Sequence, residues 1–232
     1  MNLKIALFAY NFPHKKTQDF IFRLLAEGLK IEVIYAADPV KLNIPPSGIK
    51  TKINHLGLLH PRKIAENLGI DYMVVNHDSA ELCEDSRNRK INLGIIAGAR
   101  ILKEHIIDSF SLGIINFHPG VIPYARGLDA LLWSVYYKHP LGVTAHLVDK
   151  RVDAGRIIEI QEISIYKKDT LLDLSERLYE IQLDMLLSSV QKVAENKTYE
   201  LADYGSYNRK MPLEEERVTL TLLSDYLEKY GK

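Results

Sequence analysis

The sequence predicts an α/β fold: a largely parallel, mixed sheet with helices on both faces and a short C-terminal extension. Three observations predict it. Apolar runs of strand length alternate with segments of helical period along most of the chain, the pattern of a parallel sheet covered by helices. The chain has 232 residues and is 47% hydrophobic, enough for one good-sized domain. Near the middle, Ile114-Ile115 runs straight into Asn116-Phe117-His118-Pro119, the polar end of a buried strand.

Taken in order, the first strand spans 3–9 and a helix spans 16–29. Ile-Glu-Val-Ile-Tyr-Ala gives a strand over 31–36, followed by a helix over 61–68. Asp-Tyr-Met-Val-Val gives a strand over 71–75, and Leu-Gly-Ile-Ile-Ala another over 93–97. A helix over 101–109, a strand over 112–118 and a helix over 127–138 follow. The runs 141–149 and 156–165 are separated by six residues, which predicts a hairpin and makes the sheet mixed. The long helix is 170–195, where Leu171, Leu174, Leu178, Ile181, Met185 and Val193 recur at helical spacing. Thr170 with Asp173 predicts a capping box, Asp replacing the usual Glu. The expected catalytic domain is 1–195. Residues 196–232 form the extension, polar and rich in tyrosine before a terminal helix over 213–230.

Composition excludes several classes. Lys+Arg 30 balances Asp+Glu 30, which disfavours a strong grip on a phosphate backbone. Cys83 is the single cysteine, so neither a disulfide framework nor a zinc cluster is expected. The apolar run at the N-terminus reads as a strand rather than a signal peptide, and no run approaches membrane-spanning length. The expectation is a cytoplasmic protein with no metal, nucleic-acid or membrane partner.

The chemistry concentrates at the end of the 112–118 strand. Residues two apart in a strand share a face, so Asn116 and His118 look into one place. Pro119 disfavours helix at His118 and removes a backbone donor, which ends the strand. Strand C-termini of open α/β sheets are where ligands sit. An Asn amide is a neutral donor suited to a developing oxyanion; losing such a donor costs about 10²–10³ in rate. An imidazole moves protons near neutrality, and a carboxylate beside it favours its charged form. Asp153, in Val152-Asp153-Ala154-Gly155, supplies that carboxylate. A local turn aspartate is the plainer reading of that motif alone.

Four segments resemble the core of the folate-dependent formyltransferases. They are Asn116-x-His118-Pro119, Gly127-Leu128-Asp129-Ala130, Gly142 to Asp149, and Val152-Asp153-Ala154-Gly155-Arg156-Ile157-Ile158. The resemblance covers roughly residues 92–165. It implies a Rossmann-like formyltransferase fold and an enzyme moving a formyl group from N10-formyltetrahydrofolate, with Asn116, His118 and Asp153 as the catalytic residues. It also implies that the segment Ala97-Gly98-Ala99-Arg100-Ile101-Leu102 binds the pterin through its backbone, with Ala99, Arg100, Ile101 and Leu102 along the ring, that the 148–153 loop with Val148 and Asp149 closes over it, and that Ile122-Pro123 is cis.

Three further histidine and arginine positions carry open readings. His146 alternates out of its strand toward the site, either backing the catalytic groups or hydrogen-bonded as any strand histidine. Arg126 is a candidate for an anionic substrate or a solvated loop cation. His77, in Asn76-His77-Asp78-Ser79, either lines a substrate pocket or belongs to a turn. Tyr10 and the tyrosines of 199–207 are candidates for stacking on a base.

The acceptor amine is narrowed by contrast within the family. Tyr10-Asn11-Phe12-Pro13-His14-Lys15-Lys16-Thr17 lacks the glycine-rich phosphate loop of the purine-pathway enzymes. Only about forty residues follow the long helix, where the tRNA enzymes carry a further β domain. The segment from His118 to Trp133 looks most like the enzymes acting on nucleotide-linked amino sugars. That acceptor is the expectation, with a homodimer as the assembly considered. Another small amine, glycinamide ribonucleotide-like or from secondary metabolism, and a non-catalytic folate- or nucleotide-binding module stay open.

Overall fold

The computed structural model describes residues 3–41, 43–44, 47–53, 55, 57–150, 153–201 and 203–232. Its elements follow the expected alternation. They begin with β1 (Ile5–Tyr10), α1 (Lys15–Ala26), β2 (Ile31–Ala37), α2 (Pro61–Leu68), β3 (Asp71–Val74) and α3 (Ala80–Arg89). Then come β4 (Leu93–Ile96), α4 (Glu104–Ile107), β5 (Ile114–His118), β6 (Arg126–Gly127) and α5 (Ala130–Tyr137). The chain closes with β7 (Gly142–Leu147), β8 (Ile157–Glu162), α6 (Leu171–Ala194), β9 (Tyr207–Asn208) and α7 (Leu213–Tyr230).

Seven strands form one sheet in the order β3-β2-β1-β4-β5-β7-β8. The first five are parallel, and β7 and β8 join antiparallel as the predicted hairpin. The chain builds outward from β1 to β3, then returns to the other side of β1 with β4. That reversal opens a crevice at the strand C-termini.

Side-chain alternation sorts the core into two layers. Leu7, Ile95, Ile115 and Phe117 of the sheet cluster with Phe20 of α1 and with Leu178 and Met185 of α6. Phe8, Tyr35 and Ile114 of the sheet cluster with Leu82 of α3 and Ile106 of α4. Asn116 and His118 alternate with Phe117, so they share the side of Ile114. In α6 the capping box is present as expected: Thr170 Oγ1 accepts from Asp173 N, and the Asp173 carboxylate accepts from Thr170 N.

The structure differs from the sequence expectation at α3. Its residues 80–89 are mostly polar and bury only Leu82, Cys83 and Ser86, so there is no apolar stripe to read. Its signal is the N-cap: Ser79 Oγ accepts from Leu82 N at 3.3 Å, at the end of the Asn76-His77-Asp78-Ser79 segment. The helix expected over 101–109 is the single turn α4, and α5 starts late because Asp129 has φ +50. Ile122-Pro123 is cis.

Residues beyond α6 return to the core. Arg126 and Gly127 pair with Tyr207 and Asn208, and Tyr199 bridges Ile157. Tyr226 and Leu227 of α7 join the larger core layer. Glu216 is buried and accepts from Ser47 Oγ and Gly48 N, each at 2.7 Å. Lys210 links it to Asp129. No described helix is long and apolar enough to cross a membrane.

Candidate active site

Asn116 and His118 reach one carboxylate, that of Asp153. Asn116 Nδ2 lies 3.5 Å from Asp153 Oδ1, and His118 Nδ1 lies 3.6 Å from Asp153 Oδ2. The two side chains come from one face of β5. Asp153 comes from the β7–β8 connection, at φ +48. Gly127 N–H donates to Asp153 Oδ2 at 3.2 Å. Asp153 is thus held by a backbone group as well as by the two strand residues.

His118 is buried, and its Nε2 donates to the Ala125 carbonyl at 2.6 Å. A carbonyl only accepts, so Nε2 carries hydrogen in the neutral ring. Nδ1 is then the atom that gains and loses the proton, and it faces the carboxylate. The turn that brings Ala125 into place is fixed by Thr144. Its Oγ1 accepts from Ile122 N at 3.1 Å and donates to the Gly120 carbonyl at 2.7 Å. Gly120 is tight: a Cβ there would sit 2.7 Å from His118 Nε2 and 2.4 Å from the Ala125 oxygen.

His146 stands opposite Asn116 on β7. Its Nδ1 lies 3.2 Å from the Leu147 carbonyl, and its Nε2 lies 3.1 Å from Asn116 Nδ2. The neutral tautomer with hydrogen on Nδ1 satisfies both, with Asn116 donating to Nε2. His146 therefore aims the Asn116 amide. The second hydrogen of that amide is donated to Asp153 Oδ1 at the longer distance of 3.5 Å, the weaker of its two contacts and the one an incoming oxygen would replace.

The electrostatics correct one expectation. Asp153 was expected to hold the His118 imidazole above its ordinary pKa. Burial instead pushes the ring down; Asp153 and the Ala125 carbonyl pull it up without overcoming that, and its pKa lies below the ordinary value. Burial pushes the Asp153 carboxyl up, but His146, His118 and the Gly127 N–H outweigh it, and the group stays below the usual carboxylate value. The resting pair is a neutral imidazole beside an ionised carboxylate.

Beside the trio lies a cavity of about 160 Å³. Asn116, His146 and Asp153 line it, as do Ala99, Arg100, Ile101, Leu102, Val148 and Asp149. Ala97, Gly98 and Lys150, in the segment expected along the pterin and the loop expected to close over it, do not line this cavity. Arg151 and Val152 of the expected closing loop lie outside the described residues. A larger cavity of about 620 Å³ shares Arg100 and Ile101 with the first and is lined also by Tyr10 and His77. Arg126 lines neither cavity; its Nη1 donates to the Gly205 carbonyl at 3.3 Å, on the β6–β9 side. Tyr199, Tyr204 and Tyr207 also lie outside both walls. No metal-binding cluster of His, Cys, Asp and Glu occurs among the described residues.

Sequence reasoning missed three supports of this site. Thr144, the Ala125 carbonyl and the Gly127 N–H act through contacts that no residue pattern displays. Thr144 alone left a trace, as a polar residue inside the apolar 141–149 run.

Comparison with known proteins bears on the family and the fold. The Formyl transferase family model matches residues 60–190, more than half of the chain. A methionyl-tRNA formyltransferase of Fusobacterium nucleatum subsp. nucleatum is 31% identical over 134 residues, which cover 56% of this chain and 42% of that protein. The chain spans less than half the length of such curated relatives. Among solved structures, a sugar N-formyltransferase from Shewanella sp FDAARGOS_354 is 20% identical with a TM-score of 0.63, covering 95% of this chain and 88% of that one. The formyltransferase PseJ from Anoxybacillus kamchatkensis, solved with UDP-4,6-dideoxy-4-formamido-L-AltNAc and tetrahydrofolate, is 22% identical with a TM-score of 0.56, covering 96% and 92%. At these identities the solved structures speak for the shared fold. The family match, on a sheet of this order with Asn116, His118 and Asp153 converging at the end of β5, identifies the chain as a member of the formyl transferase family.

Proposed function

We propose that this protein transfers a formyl group from N10-formyltetrahydrofolate to the amino group of a nucleotide-linked amino sugar. The observation that carries the reaction is the convergence of Asn116, His118 and Asp153 beside a cavity walled by 99–102 and 148–149. The cavity suits one flat, hydrogen-bonding ring. It has an apolar wall of Ile96, Leu102 and Val148 and polar groups converging at Asn116 and Asp153, which fits a pterin. Ala99, Arg100, Ile101, Leu102, Val148 and Asp149 would hold that ring. The folate supplies an activated one-carbon unit.

The chain's own groups account for the rest. Asn116 Nδ2, aimed by His146, donates to the formyl oxygen as negative charge gathers there. His118 is neutral at rest, takes the proton released by the attacking amine at Nδ1, and returns it to N10 as the bond from N10 to the formyl carbon breaks, so that tetrahydrofolate leaves. The charge this creates is stabilised by the Asp153 carboxylate. Burial of the imidazole keeps it unprotonated and ready near neutral pH.

The sugar acceptor rests on two supports. Sugar N-formyltransferase structures align over nearly all of this chain, and one of them holds a formylated nucleotide sugar. The β1–α1 connection, Asn11 to His14, contains a proline and no glycine, so it makes a poor backbone cradle for a ribose phosphate. A second reading, the amino group of methionyl-tRNA, is favoured by the curated relative at 31% identity. Incubation with N10-formyltetrahydrofolate and an acceptor panel separates them. Mass spectrometry should show one formyl group gained by an amino-sugar nucleotide. Efficient formylation of charged initiator tRNA or glycinamide ribonucleotide, with no amino-sugar nucleotide formylated, overturns the acceptor and keeps the reaction.

A further inference from the structure

Residues 203–212, between α6 and α7, lie beyond 60–190, the span of the family match, and line neither cavity. They nevertheless run along the loop that follows β5. Arg126 Nη1 donates to the Gly205 carbonyl at 3.3 Å, and Leu128 N–H to the Asn208 carbonyl at 2.9 Å. Trp133 Nε1 donates to the Arg209 carbonyl at 2.8 Å. Gly127 pairs with Asn208 so closely that a Cβ on it would sit 2.3 Å from the Asn208 oxygen.

Asp129 closes this seam. It stands at the N-cap of α5, where an aspartate ordinarily accepts from the first turn of its own helix. Here its side chain makes no such cap. Its Oδ2 instead accepts from Lys210 Nζ and Met211 N, each at 2.8 Å. Lys210 is partly buried and reaches a second carboxylate, that of Glu216, at 3.3 Å. Burial lowers the lysine pKa, but Asp129 and Glu216 outweigh that, so the ammonium stays charged.

The loop held in this way carries both backbone groups that orient the catalytic pair. The Ala125 carbonyl accepts from His118 Nε2 at 2.6 Å, and Gly127 N–H donates to Asp153 Oδ2 at 3.2 Å. The neutral His118 ring has one N–H hydrogen and two places to send it. Toward Ala125 the contact is 2.6 Å; toward the Asp153 carboxylate it is 3.6 Å. The hydrogen stays on Nε2 while the loop keeps the carbonyl at the shorter distance. Moved to Nδ1, it would occupy the nitrogen that has to accept the proton of the amine.

We propose that Lys210 is a positioning residue of the active site: by anchoring Asp129, it holds the 125–129 loop so that the Ala125 carbonyl keeps the His118 hydrogen on Nε2. The consequence for turnover rests on the formyltransferase reading; the consequence for the tautomer does not. The alternative is a lysine that only ties α7 to the rest of the fold.

Lys210→Met keeps the length of the side chain and removes its charge, and two measurements on the purified variant test the proposal. The first is nitrogen NMR of protein labelled in its histidine rings, near neutral pH and without ligand, with the His118 signals assigned by their loss in His118→Ala. Wild type should carry the hydrogen on Nε2, and the variant should shift it toward Nδ1. The second is steady-state kinetics with the acceptor that wild type formylates. KM for N10-formyltetrahydrofolate should hold, since 99–102 and 148–149 lie outside the seam, while kcat falls about tenfold or more as part of the general-base contribution is lost. A folded variant whose His118 hydrogen stays on Nε2 overturns the proposal, whatever its Tm, and so does wild type with the hydrogen already on Nδ1. A moved hydrogen with unchanged kcat supports the positioning and breaks the role given to His118 Nδ1. Wild type that turns over no acceptor breaks the formyltransferase reading, and the spectrum still judges Lys210. If Lys210→Met does not fold, Asp129→Asn, which keeps an acceptor for Met211 N and drops the charge, is judged by the same outcomes.

Discussion

The Ala125 carbonyl takes the Nε2 hydrogen of His118 at 2.6 Å, which leaves Nδ1, 3.6 Å from Asp153, as the titrating nitrogen. A seven-residue turn from the strand end therefore sets which atom of the ring works. Burial then keeps that atom unprotonated at rest.

The first prediction concerns Asn116 and His118. Asn116→Ala removes the donor to the formyl oxygen and should lower kcat about 10²-fold or more while the fold survives. His118→Ala removes the proton acceptor and should cost about 10²–10⁴ in kcat. Steady-state kinetics on purified variants with intact circular dichroism check both; near wild-type turnover in either would remove that residue from the mechanism.

Asp153→Asn tests the charge alone. Asn tolerates the left-handed backbone that Asp153 adopts, and its carbonyl oxygen can still accept from Gly127 N–H. Activity should fall severely with little change in Tm. A variant that unfolds while its folded fraction stays fully active would make Asp153 a turn residue.

The pH profile follows from the pKa directions. His118 acts in its neutral form, and its pKa is depressed by burial. The acid limb of kcat/KM should therefore fall below the ordinary imidazole value of about 6.5. The carboxylate pulls that pKa upward, so residual activity of Asp153→Asn should show a limb displaced further toward acid. A limb displaced toward neutral pH would contradict the assignment.

Thr144→Val is nearly isosteric and removes the bridge between Ile122 N and the Gly120 carbonyl. Each buried group left unpaired costs about 1–3 kcal/mol. We expect a lower Tm and a lower kcat, because the turn presenting Ala125 to His118 loosens. Thermal melts and kinetics on the same sample check the pair, and an unchanged kcat with a lowered Tm would confine Thr144 to stability.

Lys16 gives a stability test with a defined sign. Its Nζ lies 3.4 Å from the Phe117 carbonyl, and burial, then Lys52, lowers its pKa to about 7. The unfolded chain keeps this lysine charged up to its ordinary value. The burden on the fold is therefore full below about pH 7, shrinks as pH rises and is gone above about 10.5. Lys16→Met should raise Tm more at about pH 6 than at about pH 10. Equal shifts at both would show that Lys16 is not held in a depressed state.

Much of this was legible in the residues. Ile114-Ile115 marks the buried strand, Pro119 ends it, and period two puts Asn116 and His118 on one face. Asp153 is legible as the carboxylate of Val152-Asp153-Ala154-Gly155; the 99–102 and 148–149 segments rest on family resemblance, and the structure gathers all of them around one cavity. What stayed hidden depends on contacts between distant segments. The Ala125 carbonyl and Gly127 N–H are backbone groups available to any sequence, so their roles leave no residue signature. The direction of the His118 shift depends on how tightly β5 and β7 bury the ring, whereas sequence shows only the charged neighbour. Arg126 was credible as a loop cation until its pairing with the β9 segment drew it away from both cavities. The helix over 80–89 escaped because three buried residues make no stripe.

The central claim is that these three side chains move a formyl group to an amine. The direct measurement is the rate at which N10-formyltetrahydrofolate becomes tetrahydrofolate, followed by absorbance with and without an amino-sugar nucleotide, in wild type and in Asn116→Ala. The account predicts turnover that requires the amine, yields the N-formylated sugar and falls about 10²-fold or more in the variant. Folate turnover that proceeds equally without any amine, or equally in Asn116→Ala, would contradict it.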